Sequence, residues 1–137
     1  MSRSTALPAA ALLALMAAPG SLARDKGESP FAAADAPPAK PAACHEIRGL
    51  IRDAPDPDGA ARIDFGAVGP LSLVEHDGAL AYLGICAEPD VRVLCVTYST
   101  NGMRPGEVVT VTGGYQRADE DLVILDPCLA ARPGEGG

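Results

Sequence analysis

Four cysteines are the residues of this chain with the most definite chemistry. They stand at positions Cys44, Cys86, Cys95 and Cys128. An even number of cysteines predicts two disulfides if the chain enters an oxidising compartment. Three pairings are compatible with four cysteines. We favour Cys86–Cys95, because these two flank one short turn, which leaves Cys44–Cys128 to tie the start of the domain to its end.

Two histidines add a weaker metal hypothesis. His45 directly follows Cys44. Together with His76 or Met103, this pair would offer soft ligands to a metal such as copper. The cysteines are too widely spaced for a zinc site, which needs close ligand pairs. A periplasmic metal-handling protein is therefore an alternative function, and it requires free thiols.

Two short segments concentrate acidic side chains. The first carries Asp53, Asp56 and Asp58, and the second carries Asp119, Glu120 and Asp121. The stretch DPDG at 56–59 resembles the middle of a calcium loop. However, Ala54 and Phe65 stand where that loop needs an aspartate and a glutamate. We expect solvated turns there, with no bound metal and no cofactor.

Catalytic motifs are missing from the sequence, which has no G-x-S-x-G, no H-E-x-x-H and no P-loop. Ser72, His76 and Asp77 are too close together along one strand end to converge as a triad. Glu75 and Asp77 share a strand face, where such carboxylates are usually solvated. We therefore predict that the protein is not an enzyme.

The first 23 residues predict an export signal. Arg3 supplies a positive charge, and the stretch 6–18 is apolar apart from Pro8. This stretch is shorter than the roughly 20 residues that span a membrane. Small residues then occupy both positions that a signal peptidase reads. We expect cleavage after Ala23 and a periplasmic or secreted product without a membrane span.

The rest of the chain divides by composition. Residues 24–43 are dominated by proline, alanine and charge, which predicts a disordered linker in which Phe31 stands alone. Residues 44–129 carry the apolar patterns of one folded domain. Residues 130–137 are too poor in apolar residues to pack, which predicts a disordered tail.

Strand patterns recur through the predicted domain. We predict strands over 45–52, 62–68, 80–86, 91–99, 107–115 and 122–126, and the stretch 71–76 either continues the second strand or forms a new one. Gly49 in the first of them indicates a bend of the kind that small barrels need. Asp77-Gly78 and the stretch 87–90 are predicted turns. No convincing helix of ten residues is present, so the predicted fold class is all-β.

The order of a glycine-bent first strand, a turn, two further strands, a loop and a closing hairpin at 105–126 resembles the OB-fold. The resemblance implies a small barrel of five to six strands, which the disulfides predicted from the cysteine count would staple; a small β-sandwich is the alternative. It also implies a ligand site across the second and third strands, between the first turn and the last hairpin loop. The candidate binding surface therefore comprises the two acidic segments together with Tyr82, Tyr98 and Tyr115.

The charge of the chain limits the classes of partner that it can bind. The chain has a formal net charge of −7, and residues 44–129 contain six arginines, no lysine and fourteen acidic residues. Nucleic-acid binding needs positive charge and stacking aromatics, so this class is excluded. A basic peptide, a cation or a neutral ligand fits better. The leading hypothesis is an exported, non-catalytic binding or structural module, and a small secreted enzyme inhibitor is a further alternative.

Overall fold

A computed structural model describes residues 29–33, 36, 38, 40–54 and 61–135. Its elements are β1 (Phe31–Ala33), β2 (Ala42–Ala43), α1 (Cys44–Arg52), β3 (Ile63–His76), β4 (Ala81–Ile85), β5 (Arg92–Thr97), β6 (Val108–Asp119) and β7 (Leu122–Ala131). The predicted export signal, the adjoining positions 24–28 and the last two residues of the predicted tail lie outside the described residues. Within the described part, no helix is long and apolar enough to cross a membrane.

Five of the strands close into a barrel. β3 pairs with β4, β4 with β5, β5 with β7, β7 with β6, and β6 returns to β3. All these pairings are antiparallel except that of β5 with β7, which is parallel. One parallel pair between the third and fifth barrel strands gives an OB-like Greek-key barrel. The predicted all-β, OB-like class is therefore confirmed, and the sandwich alternative is wrong.

The predicted first strand at 45–52 is instead the helix α1. Ile47 and Ile51, which the alternating pattern placed on one strand face, are four residues apart, and this spacing also shares one face of a helix. Both side chains are buried in the core. The Glu46 carboxylate accepts a hydrogen bond from the Ala43 amide at 2.9 Å, which caps the first turn. The spacing of Ile47 and Ile51 fits the period of a strand and that of a helix equally well, and burial of both side chains against the core selects the helix.

The true first strand of the barrel is β3, which is long enough to serve two neighbours. Its first half pairs with β6 from Asp64 to Pro70, and its second half pairs with β4 from Leu71 to His76. The register shifts between Leu71 and Leu73, which marks a bulge. Of the two alternatives for 71–76, the structure shows the continuation of the strand, and the predicted turn at Asp77-Gly78 follows it.

The disulfides pair differently from our preference. Cys44 bonds to Cys86, and Cys95 bonds to Cys128. The predicted pairing of Cys86 with Cys95 is wrong. In the β4–β5 ladder Cys95 lies opposite Leu83, and Leu83 precedes Cys86 by three residues, so the two cysteines do not face each other. The first disulfide ties α1 to the end of β4. The second joins β5 to β7 just beyond the point where their pairing ends.

The folded part is wider than the predicted 44–129. Phe31 is not isolated: its ring centroid lies 4.8 Å from that of Phe65 and 5.4 Å from that of Tyr115, and β1 pairs with β3. At the other end, β7 continues to Ala131. Arg132 then forms an ion pair with Glu107 at 3.0 Å.

Candidate functional site

The outer surface of the barrel carries an apolar row across four strands. Leu73 on β3 lies beside Gly84 on β4, which lies beside Leu94 on β5, and Leu94 lies beside Ile124 on β7. The residues that alternate with them, such as Leu83 and Val93, are fully buried. Because successive side chains of a strand point to opposite faces, the row faces outward. We call this surface the β4–β5 face.

Gly84 creates a hollow in the middle of the β4–β5 face. A Cβ atom at this position would lie 3.1 Å from the Cβ of Leu73, so the leucine side chain occupies the space beside the glycine. A cavity of about 320 Å³ opens here, lined by Ser72, Leu73, Gly84, Ile85, Arg92, Val93, Leu94 and Leu122. Pockets that hold small ligands begin at about 300 Å³ and are mostly apolar. The hollow therefore has the size and lining of a ligand site.

The polar groups that line the cavity are few. The Ser72 hydroxyl has two acceptors, the carbonyl oxygens of Gly84 and Cys86, each at 3.3 Å. It is therefore held by the bulge and the neighbouring strand. Among the described residues, Arg92 supplies the only charged side chain in the lining, and no carboxylate there lies within 4.0 Å of it.

One end of the face is formed by the β3–β4 turn. Asp77 accepts hydrogen bonds from the amides of Leu80 at 2.8 Å and Ala79 at 2.9 Å, and from the hydroxyl of Tyr82 at 2.8 Å. These bonds favour the charged carboxylate and lower its pKa from 3.8 to about 2. Gly78 adopts φ +99°, a conformation that suits glycine.

The carboxylate of Asp126 on β7 also contributes negative charge at this end of the face. The hydrogen bond to Asp77 is the main cause that raises the pKa of Tyr82, and the charge of Asp126 contributes to the rise. The charges of two carboxylates therefore act on the phenol. This end of the face is negative and locally ordered.

The other end is formed by the β4–β5 and β6–β7 turns, which α1 holds together. Arg48 forms an ion pair with Asp121 at 2.9 Å and donates hydrogen bonds to the carbonyl oxygens of Pro89 at 2.8 Å and Glu120 at 3.3 Å. The Asp119 carboxylate accepts a hydrogen bond from the Asp121 amide at 2.7 Å. Part of the acidic β6–β7 turn therefore has a structural role.

The structure describes only one residue of the first acidic segment. Asp53 is exposed at the end of α1, and Asp56 and Asp58 lie outside the described residues. The first barrel turn is the one that contains Asp77, since β3 rather than 45–52 is the first strand. The assignment of Asp53 to that turn is wrong. Asp119, Glu120 and Asp121 do form the last hairpin turn.

One of the three candidate tyrosines lies apart from the face. Tyr82 lies on the β4–β5 face, and Tyr98 is 75% exposed just beyond β5. Tyr115 is only 4% exposed and packs against Phe31 and Phe65, so its assignment to a binding surface is wrong. Burial raises the pKa of its hydroxyl. Its register on β6 points the ring into the barrel.

The metal hypothesis finds its residues apart. Cys44 is used in a disulfide, and Met103 is buried. His45 is exposed on α1, whereas His76 ends β3 and accepts a hydrogen bond from the Gly78 amide at 3.0 Å. Over the stretches that the structure describes, no three histidine, cysteine or acidic residues form a group that would hold a metal ion.

Sequence reasoning missed the apolar row and the cavity. The signal was present in LAYLGIC and VRVLCV, where residues at both phases of the alternation are apolar. A strand with one solvated face normally alternates apolar and polar residues. Apolar residues on both faces indicate either a second packed layer or a binding surface. Gly84 in mid-strand was a second signal, because it marks close approach by another group.

Comparisons with known proteins assign no family to the chain. No protein-family model matches the chain, and no curated protein matches it. Among solved structures, the chain is similar to one in the S. pombe Stn1–Ten1 complex, with 18% sequence identity and a TM-score of 0.40. That similarity covers 67% of this chain and 77% of the other.

Proposed function

We propose that this protein is an exported, disulfide-bonded binding module that has no catalytic activity and binds its ligand on the β4–β5 face. The observation that carries the proposal is the apolar cavity over Gly84. A solvated sheet face needs no such hollow, and apolar side chains that are partly exposed next to one another often mark a binding surface. The location also agrees with the site implied by the OB-fold resemblance, across the second and third strands.

Export is supported by two independent features. The first 23 residues have the pattern of a signal, and all four cysteines form disulfides. Disulfides persist in oxidising compartments and are rare in the cytosol. A small barrel that must survive outside the cell also benefits from covalent links, because its core is small.

The proposal of a non-catalytic role is supported by the chemistry of the cavity lining. Ser72 is within hydrogen-bonding distance of backbone carbonyls, and no histidine or carboxylate lies beside it in the described lining. A nucleophile needs an adjacent base to be activated. The lining instead offers apolar contact and one guanidinium group, which suits recognition.

A ligand screen monitored by NMR tests this function. The disulfide-bonded chain, labelled with ¹⁵N, would be titrated with a library of small apolar compounds and short peptides. We expect binding to shift the amide signals of Leu73, Gly84 and Leu94, and Leu94→Asp to abolish it. Leu129→Asp is the matched control, because Leu129 is 79% exposed at a distance from the face along β7. Ligands that map elsewhere, or none at all, would refute the proposal.

A further inference from the structure

We infer that the β4–β5 face binds an extended cationic peptide, with a basic side chain at each end of a five-residue segment and an apolar side chain in its middle. This inference rests on the proposed function and specifies its ligand. Three features of the face carry it: the distribution of charge, the distance between its two acidic ends, and the apolar cavity between them.

The negative charge of the described chain is concentrated around this face. Eight acidic residues and three arginines lie on it, on the turns that border it or in hydrogen-bonding contact with those turns: Glu75, Asp77, Glu88, Asp90, Asp119, Glu120, Asp121 and Asp126 against Arg48, Arg92 and Arg117. The other described residues are balanced, with five acidic and five basic side chains: Glu46, Asp53, Asp64, Glu107 and Glu135 against Lys40, Arg52, Arg62, Arg104 and Arg132. A positively charged ligand is therefore drawn to this face in preference to the rest of the barrel.

The two acidic ends are separated by the length of a strand segment. Along β5 the outward residues run from Arg92, beside the β6–β7 turn, through Leu94 to Val96, beside Tyr82. Four residues of extended chain cover about 13 Å at about 3.3 Å per residue. A single small cation would meet only one end. An extended peptide with basic residues four positions apart would meet both, since such residues point to the same side.

The middle of such a peptide meets the cavity. Its central side chain, two positions from each basic residue, points the same way as they do and would enter the hollow over Gly84. An apolar residue fits there because the surrounding side chains of Leu73, Leu94 and Leu122 are apolar. The expected motif is therefore basic-x-apolar-x-basic. Arg92 opposes the basic residue at its end of the face, so its removal should strengthen binding.

Calorimetric titration of the disulfide-bonded chain with three matched peptides tests the inference. The probes are acetylated and amidated GKALAKG, GQALAQG and GEALAEG. We expect GKALAKG to bind at least about tenfold more tightly than GEALAEG, with GQALAQG between them. Raising the salt concentration should weaken GKALAKG binding, because salt screens exposed charges.

Variants at each end of the face locate the contacts. Glu75→Gln and Asp126→Asn alter one end, and Asp90→Asn and Glu120→Gln alter the other. We expect each substitution to weaken GKALAKG binding about two- to fivefold, as measured for exposed ion pairs. Arg92→Gln should strengthen it.

Two control substitutions, Asp53→Asn and Glu135→Gln, remove exposed carboxylates that lie neither on the strands of the face nor on the turns that border it. They should leave GKALAKG binding unchanged. A loss of affinity in these controls equal to that at the face would show only a response to net charge, and would overturn the inference.

The remaining outcomes separate this inference from the proposed function. Equal binding of all three peptides, abolished by Leu94→Asp, would overturn the cationic preference and leave the function standing. Binding of small apolar compounds to the face, with no peptide bound, would likewise overturn only the inference. Absence of binding by peptides and compounds alike would overturn both.

Discussion

Asp77 shows how one side chain can order a turn and make the stability of the fold depend on pH. Its carboxylate accepts hydrogen bonds from two backbone amides and the Tyr82 hydroxyl, which together lower its pKa to about 2. The folded-state pKa lies below the unfolded value, so the charged form stabilises the fold. That stabilisation is present at neutral pH and is lost as the pH falls from about 4 to about 2.

We predict that Asp77→Asn lowers the stability at pH 7 and flattens its pH dependence between about pH 4 and pH 2. Tyr82→Phe should raise the pKa of Asp77 part of the way to its usual value, because one of three hydrogen bonds is lost. Urea denaturation across pH, with an NMR titration of the Asp77 carboxyl group, measures both effects. Titration of Asp77 near 3.8 in the native protein would refute this account.

Gly69 is required by the Cys44–Cys86 disulfide. A Cβ atom on Gly69 would clash with the Sγ of Cys44 and lie 3.2 Å from the Sγ of Cys86. We predict that Gly69→Ala destabilises the protein by about 1–3 kcal/mol through overpacking. Gly49→Ala is the matched control. Apart from its chain neighbours and its own helix backbone, no atom of the described residues lies within 4 Å of the new Cβ, and alanine favours the helix by about 1 kcal/mol.

If this account is right, denaturant unfolding shows changes of opposite sign in the stability of the two glycine variants. Gly69→Ala should shift the midpoint down and Gly49→Ala should shift it up, without a change in slope. Equal stability of the Gly69→Ala variant and the wild type would mean that the disulfide can move aside.

At the scale of elements, β1 depends on one aromatic side chain. Its three residues pair with β3, and Phe31 packs against Phe65 and Tyr115. So short a strand gains little from backbone hydrogen bonds alone. We predict that Phe31→Ala releases β1 and lowers the stability by about 1–3 kcal/mol, less than for a fully buried phenylalanine because Phe31 is half-buried.

Hydrogen exchange separates local release of β1 from general destabilisation. In Phe31→Ala, the amide of Gly66, which donates to the Pro30 carbonyl, should exchange much faster than those of the β4–β5 ladder. Ala32→Ser, on the same strand, should leave this protection intact. Unchanged protection of Gly66 in Phe31→Ala would show that backbone pairing holds β1 by itself.

At the scale of the whole molecule, the two disulfides contribute comparably. They close loops with sequence separations of 42 and 33 residues, worth about 4 kcal/mol each in the chain-entropy model. We predict that the double substitution Cys95→Ala with Cys128→Ala lowers the free energy of unfolding by about that amount. Replacement of Cys44 and Cys86 should have a similar effect.

Peptide mapping of the unreduced protein checks the pairing that underlies this prediction. It should yield peptides that join Cys44 to Cys86 and Cys95 to Cys128, and alkylation should leave the intact mass unchanged. Free thiols in the native protein would contradict it.

Export is also a property of the whole molecule. We predict that expression in a bacterium with a periplasm yields a product that begins at Arg24, because cleavage is expected after Ala23. Intact mass and N-terminal sequencing of the periplasmic fraction measure this. A chain with Ala23 replaced by a bulky residue is the control and should accumulate uncut.

The sequence by itself determined the fold class and the last three barrel strands. The stretches 91–99, 107–115 and 122–126 are rich in β-branched residues and are separated by turns that contain glycine or acidic residues. These local signals agree with the observed strands. It also determined that four cysteines form two disulfides. The charge of −7 and the scarcity of aromatics needed no structure to argue against a nucleic-acid partner.

Only the tertiary structure decided which period 45–52 adopts, which cysteines meet and where the face lies. The spacing of Ile47 and Ile51 satisfies a strand and a helix alike, and packing against the barrel end selects the helix. Cysteine pairing depends on ladder register, which places Cys95 opposite Leu83 and away from Cys86. The cavity over Gly84 exists because residues from separate strands become neighbours, and no local pattern encodes such a distance.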